Sequence, residues 1–448
     1  MNLKINEAIR LVSKYDRMKA EERDAVRAGR LRELVMYVKA NSPYFSKLYA
    51  GIDEGFSLSD LPVTSKLEMM ENFDDWVTDR DVHLEDIYKF MEDKDNIGRM
   101  HLGKYVVNTT SGSTGNPAVI LYDENVISVL NGTDFNRGMA WKWDAVRFLA
   151  RKAKSAGLYT KGGFYMGSGM LRYRQLTYPK QNSILHCQDL MDPMPKIVEG
   201  LNAFDPALLG SYPTMLTLLA DEKIAGRLRI SPVIICTSGE KLMEDAREYI
   251  EGAFGCHLQD NYYCTEGGTL ASGCKHKRLH VNDDWIIIEP VDSANRPVPN
   301  GQRADKWLMT SLGSFVQPLI RYEVTDRIVM HDEGCPCGKL SPWLEIEGRT
   351  DETVVLEGED GDVKLLPAVL YTVMSKVHRI KRFQLVVHKK EWIEMRLEAD
   401  DREAAFAEAS AVLQELFDER GTHARLTLSD MAPQPDPSGK FKRYYKAD

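Results

Sequence analysis

Between Val106 and about Glu289 the chain alternates short, wholly apolar runs with longer stretches of helical texture. Examples are Ala118-Val119-Ile120-Leu121-Tyr122, Ala207-Leu208-Leu209-Gly210 and Pro232-Val233-Ile234-Ile235-Cys236. A strand wetted on one face alternates apolar and polar residues; one that is apolar throughout is covered on both faces. This texture predicts an α/β architecture in which helices cover mostly parallel sheets. Upstream, residues 1 to about 105 read as helices. Ile5 to Met36 carries apolar residues at helical spacing, and breaks follow at Ser42-Pro43-Tyr44-Phe45 and Leu61-Pro62-Val63-Thr64-Ser65-Lys66. Downstream, from Trp285 to about Val329, Ile286-Ile287-Ile288, Trp307-Leu308-Met309-Thr310 and Arg327-Ile328-Val329-Met330 predict a β-region. The last hundred or so residues predict a small α+β unit: a strand, a helix from Pro367 to about Lys376, strands at 383–388 and 392–397, a helix from Arg402 to Phe417, and a strand at 424–428. It ends in the basic tail Ser438-Gly439-Lys440-Phe441-Lys442-Arg443. At 448 residues the chain exceeds one ordinary core, so a large domain, a hinge and a small lid is the expected plan.

Charge and composition exclude several classes. A formal charge of −9 argues against non-specific nucleic-acid binding, which needs clustered Lys and Arg. No apolar run approaches the roughly 20 residues that span a bilayer. Charges interrupt the N-terminal Met-Asn-Leu-Lys-Ile-Asn-Glu before a secretory core can form. A cytoplasmic protein is expected, with its cysteines reduced or metal-bound. Cys187, Cys236, Cys256 and Cys264 read as ordinary buried thiols.

Thr109-Thr110-Ser111-Gly112-Ser113-Thr114-Gly115-Asn116-Pro117 follows the apolar Tyr105-Val106-Val107. Small hydroxyls interleaved with glycines let backbone N–H groups approach a polyphosphate unobstructed. The run lacks the Gly-Lys-Ser/Thr ending of a Walker loop, and a solvated turn is its bland alternative.

Further segments follow in a fixed order: Thr237-Ser238-Gly239-Glu240 after an apolar strand, Asp260-Asn261-Tyr262-Tyr263-Cys264-Thr265-Glu266-Gly267-Gly268, Arg321-Tyr322-Glu323-Val324-Thr325-Asp326, Gly348-Arg349-Thr350-Asp351-Glu352, and Pro437-Ser438-Gly439-Lys440. In this order they resemble the adenylate-forming superfamily of acyl-CoA synthetases and adenylation domains. The resemblance is strongest to its phenylacetate–CoA ligase and coenzyme F390 synthetase branch, and it covers nearly the whole chain. That branch also shows Ser42-Pro43-Tyr44, Leu61-Pro62, the Tyr212-Pro213-Thr214 turn and a Cys-x-Cys-Gly run before the hinge.

The resemblance implies an ATP-dependent, AMP-forming ligase. It would activate a carboxylic acid, aromatic or arylacetic, and transfer it to coenzyme A. Transfer to an amine or another nucleophile, or nucleotidylation of the substrate, stays open in the same chemistry. A nucleotide sensor keeping only the fold is the contrasting class, and the joint presence of Lys440, Glu266 and Asp326 argues against it. Residues 1–350 would bind nucleotide and acyl substrate, and residues 351–448 would form a mobile lid carrying Lys440. Ser111, Gly112, Ser113, Thr114 and Gly115 would wrap the β- and γ-phosphates, with Thr110 at the loop's edge. Thr265 would meet the α-phosphate and Glu266 would hold Mg2+, which favours one or two carboxylates plus substrate oxygens. Adenine would lie between the Ser238-Gly239-Glu240 backbone and Tyr262, beside Asn261, with Asp260 on the exocyclic amine. Asp326 would grip the ribose hydroxyls and Arg349 the ribose or phosphate. Lys440 would face the developing charge, and Glu352, where the family more often has Asp, would be the hinge. Tyr263 replaces the family's usual Gly, so the wall of the acyl pocket beside it should differ; Tyr212 and Pro213 would also touch substrate. His186, Trp141 and Met215 are further pocket candidates that the sequence does not rank.

Cys274, His280 and Cys335-Pro336-Cys337-Gly338 offer three thiols and an imidazole, the donor set of a closed structural zinc site. His276 competes for the fourth place, and the branch's Cys…Leu-His pattern favours His280. Unmetallated thiols are the alternative. The implied partners are small molecules, with a homodimer allowed.

Overall fold

Five strands lie side by side and parallel, in the order Leu185–Asp189, Ser155–Tyr159, Leu208–Ser211, Ile234–Thr237 and His257–Cys264. The helices Met194–Phe204, Pro213–Ile224 and Glu244–Phe254 bury Ile197, Leu201, Leu216, Leu219, Ile250 and Phe254 in one core with Leu209, Ile235 and Leu258. The helix Met166–Thr177 packs on Ser155–Tyr159 and on Tyr105–Thr109. Burial on both faces is why these strands read as unbroken apolar runs. The sheet continues with antiparallel neighbours, Gly268–Gly273 and Leu279–Val281, and reaches ten strands through Trp343–Arg349, Asp326–His331 and Arg303–Ala304. The β-region adds a separate antiparallel sheet of Ile286–Val291, Lys306–Ser311 and Tyr322–Val324.

This computed structural model describes residues 3–110, 117–349, 354–358, 361–365, 367–374, 376–434 and 441–447. The chain divides into two compact units, Met1–Val324 with Ile328–Glu345, and Thr325–Arg327 with Ile346–Asp448.

Three sequence expectations are corrected. The run at 118–122 is not a strand of the parallel sheet. Val119–Tyr122 turns straight back on Tyr105–Thr109 as an antiparallel hairpin, with Met100–His101 beyond, because no crossover helix intervenes. The Gln317 amide covers its outer edge, accepting from the Leu121 N–H (2.7 Å) and donating to the Val119 carbonyl (2.8 Å). Second, the N-terminal helical stretch is two helices, Ile5–Tyr15 and Ala20–Asn41. Ser42-Pro43, read as a break, also starts the helix Pro43–Leu48: Pro43 sits in the first turn, where a missing N–H costs nothing, and Ser42 Oγ accepts from the Phe45 N–H. Ile5–Tyr15 lies so close to the helix Glu124–Arg137 that a Cβ at Gly132 would stand 2.8 Å from that of Ala8.

The second unit supplies the third correction. Its four-stranded sheet runs Arg425–Leu428, Trp392–Ala399, Ile380–His388, Tyr444–Ala447, covered by the helix Arg402–Glu419 through Leu413 and Phe417. The unit does not end in the basic tail read at 438–443: Tyr444–Ala447, just beyond it, pairs in parallel with Ile380–His388. A hairpin of Val354–Gly358 and Gly361–Leu365 precedes the helix Pro367–Met374. The buried Gln384 side chain donates from Nε2 to the carbonyls of Gln434 (2.9 Å) and Lys442 (2.8 Å). Among the described residues no helix is long and apolar enough to cross a membrane.

Candidate active site

In open α/β sheets, ligands bind beyond the carboxyl ends of the parallel strands. Two motifs meet there. Ser238-Gly239-Glu240 leaves the strand Ile234–Thr237, with Gly239 at φ +81°, a conformation that suits a residue without Cβ. The Glu240 carboxylate accepts from the backbone N–H of Thr214 (3.0 Å) and from its hydroxyl (2.8 Å). It caps the helix that starts at Pro213, since the N-cap Tyr212 has no side chain able to do so. Glu240 therefore ties the Tyr212-Pro213-Thr214 turn to the Ser238 loop, leaving the Gly239 backbone exposed.

The neighbouring strand brings Asp260 beside Thr237. Burial pushes the Asp260 carboxyl up to about 6, against the pull of Arg247, whose Nη2 is 4.0 Å away. Asn261 is buried and accepts from the Gln259 side chain and the Gly273 N–H. The Tyr262 ring stands edge-on to Trp307, with centroids 6.2 Å apart. A β-bulge follows, between Tyr262 and Tyr263. The extra residue is Leu270 on the partner strand, and the bulge twists the pair just before the Thr265–Glu266 turn.

Thr265 and Glu266 sit in the turn joining His257–Cys264 to Gly268–Gly273, and two hydroxyls brace it. The Tyr122 hydroxyl donates to the Thr265 carbonyl (2.7 Å), and the Tyr322 hydroxyl reaches Glu266 Oε1 at 3.5 Å. Below the turn, Tyr263 and its cross-strand partner Thr269 both donate to Asp134 Oδ1, at 3.0 and 2.8 Å. Cys264 Sγ accepts from the Gly267 N–H. Tyr322 is held by its neighbour Arg321, which pairs with Glu289 (3.1 Å) and donates to the Leu61 carbonyl (2.6 Å). The Leu61-Pro62 and Arg321-Tyr322 motifs are thus one anchor, clasped further by the Thr64–Tyr322 bridge.

Thr110 lies at the hairpin neck. Its hydroxyl accepts from the Ala118 N–H (2.9 Å) and its own N–H donates to the Ala118 carbonyl (3.0 Å). Ser111, Gly112, Ser113, Thr114 and Gly115 lie outside the described residues, as do Glu352 and Lys440. Asp326 is buried and opens its strand in the second unit; Arg349 ends the strand Trp343–Arg349 there, its side chain outside the description.

The thiols gather as the spacing suggests. Ligand atoms of Cys274, His280, Cys335 and Cys337 all lie within 4.8 Å of one another. Cys274 Sγ is 3.8 Å from Cys335 Sγ, and His280 Nε2 is 3.3 Å from Cys337 Sγ. His280 donates its Nδ1–H to the Ser341 carbonyl (2.8 Å), which leaves Nε2 unprotonated and facing the thiols. Burial holds this imidazole near pKa 4, well into its neutral form. The backbone N–H groups of His276 and Lys339 point at Cys274 and Cys337, while the His276 residue is exposed. The other four cysteines, expected in the core, are each half-buried. Cys236 packs near Asp134, a cause of its thiol being raised to about 12, after burial itself.

Asp134, Tyr122 and Gln317 escaped the sequence reading. The apolar run did contain Tyr122, and nothing distinguished it there from a packing residue.

These features define a class before any individual protein. The chain has the fold of the adenylate-forming CoA ligases: a 2-hydroxyisobutyryl-CoA ligase in its postadenylation state superposes with a TM-score of 0.69 at 20% identity, over 97% of this chain and 91% of that one. An anthranilate CoA ligase superposes at 0.52 and 14% identity, over 75% and 65%. Among curated proteins, the chain is similar to a phenylacetate–coenzyme A ligase of Thermus thermophilus, 24% identical over 386 residues, 83% of this chain and 79% of the relative. Protein CapK of Staphylococcus aureus matches 138 residues at 24% identity, 30% of this chain and 29% of its own length. No family model matches. The family resemblance carried by the motifs stands.

Proposed function

We propose that the protein is an ATP-dependent, AMP-forming acid–CoA ligase acting on an aromatic or arylacetic acid. In the first step an oxygen of the acid attacks the α-phosphorus of ATP and pyrophosphate leaves. In the second the coenzyme A sulfur attacks the acyl carbon and AMP leaves. The observation that carries this reading is the braced Thr265–Glu266 turn beside the carboxyl edge of the parallel strands, on a fold shared with such ligases. A turn held at both flanks is preorganised for charge that develops during the reaction.

In this reading Thr265 meets the α-phosphate, and Glu266 would hold Mg2+, which screens phosphate charge when bound. Ser111 to Gly115 take the terminal phosphates. The Gly239 backbone and Tyr262 flank adenine, with Asp260 and Asn261 beside its amine. Asp326 and Arg349 take the ribose. Lys440, on a small domain turning about Glu352, places its ammonium on the developing anion, a contribution of roughly 10²–10³ in rate. Cys274, His280, Cys335 and Cys337 would hold a structural Zn2+: the donor set, the fixed histidine tautomer and the N–H groups aimed at sulfur all fit it. Such a metal would tie the 274–280 segment to the 335–337 turn and take no part in the reaction.

Pyrophosphate release over a panel of carboxylic acids, with and without coenzyme A, tests the reading. Release with at least one acid, an acyl-CoA product, and loss of release in Lys440→Ala with ATP binding retained are the expected results. Release without any acyl-CoA product would move the acceptor to another nucleophile. No release with any acid would remove the reading.

A further inference from the structure

A cavity of about 220 Å3 has Asp16, Arg23, Arg137, Asn282, Lys339 and Ser341 among its walls. It brings the turn between Ile5–Tyr15 and Ala20–Asn41 together with segment 337–341, all within the first unit. Most polar groups in these walls satisfy one another. The Asp16 carboxylate accepts from Arg137 Nη2 on Oδ1 (2.7 Å) and from Nε on Oδ2 (3.3 Å). Arg137 Nη1 donates to Asn282 Oδ1 (3.0 Å) and to Asp284 (2.7 Å), and Asn282 Nδ2 donates to the Thr269 carbonyl (2.9 Å). The Ser341 hydroxyl donates to Asp283 (2.7 Å).

Two cations are the exception. Arg23 is buried, yet its hydrogen bonds all go to neutral acceptors: Nε to the Met18 carbonyl (3.3 Å), Nη1 to Ser341 Oγ (3.2 Å) and Nη2 to the Asp16 carbonyl (3.0 Å). A guanidinium has five N–H groups, so one on each terminal nitrogen stays open. Its charge meets only the Tyr15 ring, 4.8 Å from the guanidinium carbon. Lys339 is half-buried. Its backbone N–H points at Cys337 Sγ (3.5 Å), while its ammonium makes no hydrogen bond or ion pair among the described residues. Neither cation has a carboxylate within ion-pair reach among those residues.

Buried charge is ordinarily paired, because leaving water without a counter-charge is costly. The chemistry of what fits this cavity follows from sign and size. A cation would meet Arg23 and Lys339 together. An apolar or neutral group would leave both charges uncompensated. The one carboxylate in the wall, on Asp16, is already held by Arg137, so it does not compete for the two cations. At about 30 Å3 per water the volume equals about seven waters, below the roughly 300 Å3 at which sites for larger ligands begin. Open N–H groups on a guanidinium and an ammonium suit the oxygens of a tetrahedral oxyanion.

We propose that this cavity binds one small, doubly charged oxyanion of the phosphate class between Arg23 and Lys339. The anion joins the N-terminal helix pair to segment 337–341. The inference does not depend on the ligase reading, since none of these residues belongs to the site at Thr265 and Glu266.

The test is calorimetric titration of inorganic phosphate, and separately of sulfate, into the full chain at fixed ionic strength, with chloride as the control. Each titration is repeated in saturating AMP, which fills any nucleotide site. One phosphate or sulfate per chain is expected, with an affinity that AMP leaves unchanged. Lys339→Met should weaken it by roughly 10–100-fold, the loss of one charge-assisted hydrogen bond. Arg23→Lys keeps the charge and removes the fork; it should also weaken binding, and serves if the first variant fails to fold. No saturable binding beyond that of chloride, binding abolished by AMP, or an unchanged affinity in the folded variant would overturn the proposal. Each of these outcomes leaves the ligase reading where it stands.

Discussion

One helix, Glu124–Arg137, carries two charges three residues apart, Arg137 buried and Asp134 half-buried, and they live in opposite circumstances. Arg137 is completely engaged: it pairs with Asp284 (2.7 Å) and Asp16 (2.7 Å) and donates to Asn282 (3.0 Å). Asp134 accepts both of its bonds, from Tyr263 and Thr269, on Oδ1, and among the described residues Arg174 makes no side-chain hydrogen bond or ion pair. A polar group satisfied within the protein holds the fold in register. A polar group left unsatisfied in the interior is a cost that the rest of the fold offsets, as it does for the buried Asp284 Oδ2. Two charges on one helix thus differ in how much of the fold depends on them.

Breaking the engaged side should have the largest effect. Arg137→Met leaves Asp284 buried without its cation and is expected to lose about 3–5 kcal/mol in urea unfolding; Arg174→Met should change stability by about 1 kcal/mol or less. A loss for Arg174→Met equal to that of Arg137→Met would erase the distinction. The thiol cluster is a second engaged set. Purified protein should carry about one zinc per chain, adding about 4 kcal/mol at a thousandfold excess over its Kd. Cys335→Ser should lose both the metal and the stabilisation by chelators' absence, seen as a Tm that no longer responds to chelator. A metal-free wild type of equal Tm would place these cysteines with the unmetallated thiols.

The smallest effect sharpens the other side. Burial raises the Asp134 carboxyl to about 6, above the ordinary 3.8. The folded state therefore holds the proton more tightly than the unfolded chain. Asp134's favourable share is full below pH 3.8, falls as pH rises through 6, and is gone above it. Asp134→Asn should accordingly be more stable than wild type at pH 8, by about 1–3 kcal/mol, with the gap narrowing toward pH 5. A gap that is constant with pH would mean Asp134 titrates normally.

Much of this molecule was visible in its sequence because the signals are local or carried by whole segments. Apolar runs marked the parallel strands at 208–211 and 234–237, and paired cysteines with a Leu-His step marked the sulfur cluster. The hairpin at 119–122 was misplaced because burial on both faces writes the same apolar run in either sheet type; only the missing crossover helix tells them apart. Tyr444–Ala447 escaped notice because four residues behind the basic stretch Lys440-Phe441-Lys442-Arg443 carry no period. Asp134 and Gln317 were illegible for a deeper reason: a single polar residue on a helix or loop acquires its role only from partners more than a hundred positions away.

Gln384 offers a last consequence. By bonding the carbonyls of Gln434 and Lys442 with one amide, it fastens the neck of the segment that contains Lys440. Lengthening a closed loop costs little, about 0.6 kcal/mol for each doubling, whereas the reach of a side chain within it changes with every added residue. Natural or designed insertions between the two tethered carbonyls would therefore be nearly silent in expression and melting experiments. On the role proposed for Lys440, they would still displace its ammonium from the reacting groups. Across lineages, the length of this short span should vary far less than its tolerance of insertion would allow, a constraint written by reach and not by folding.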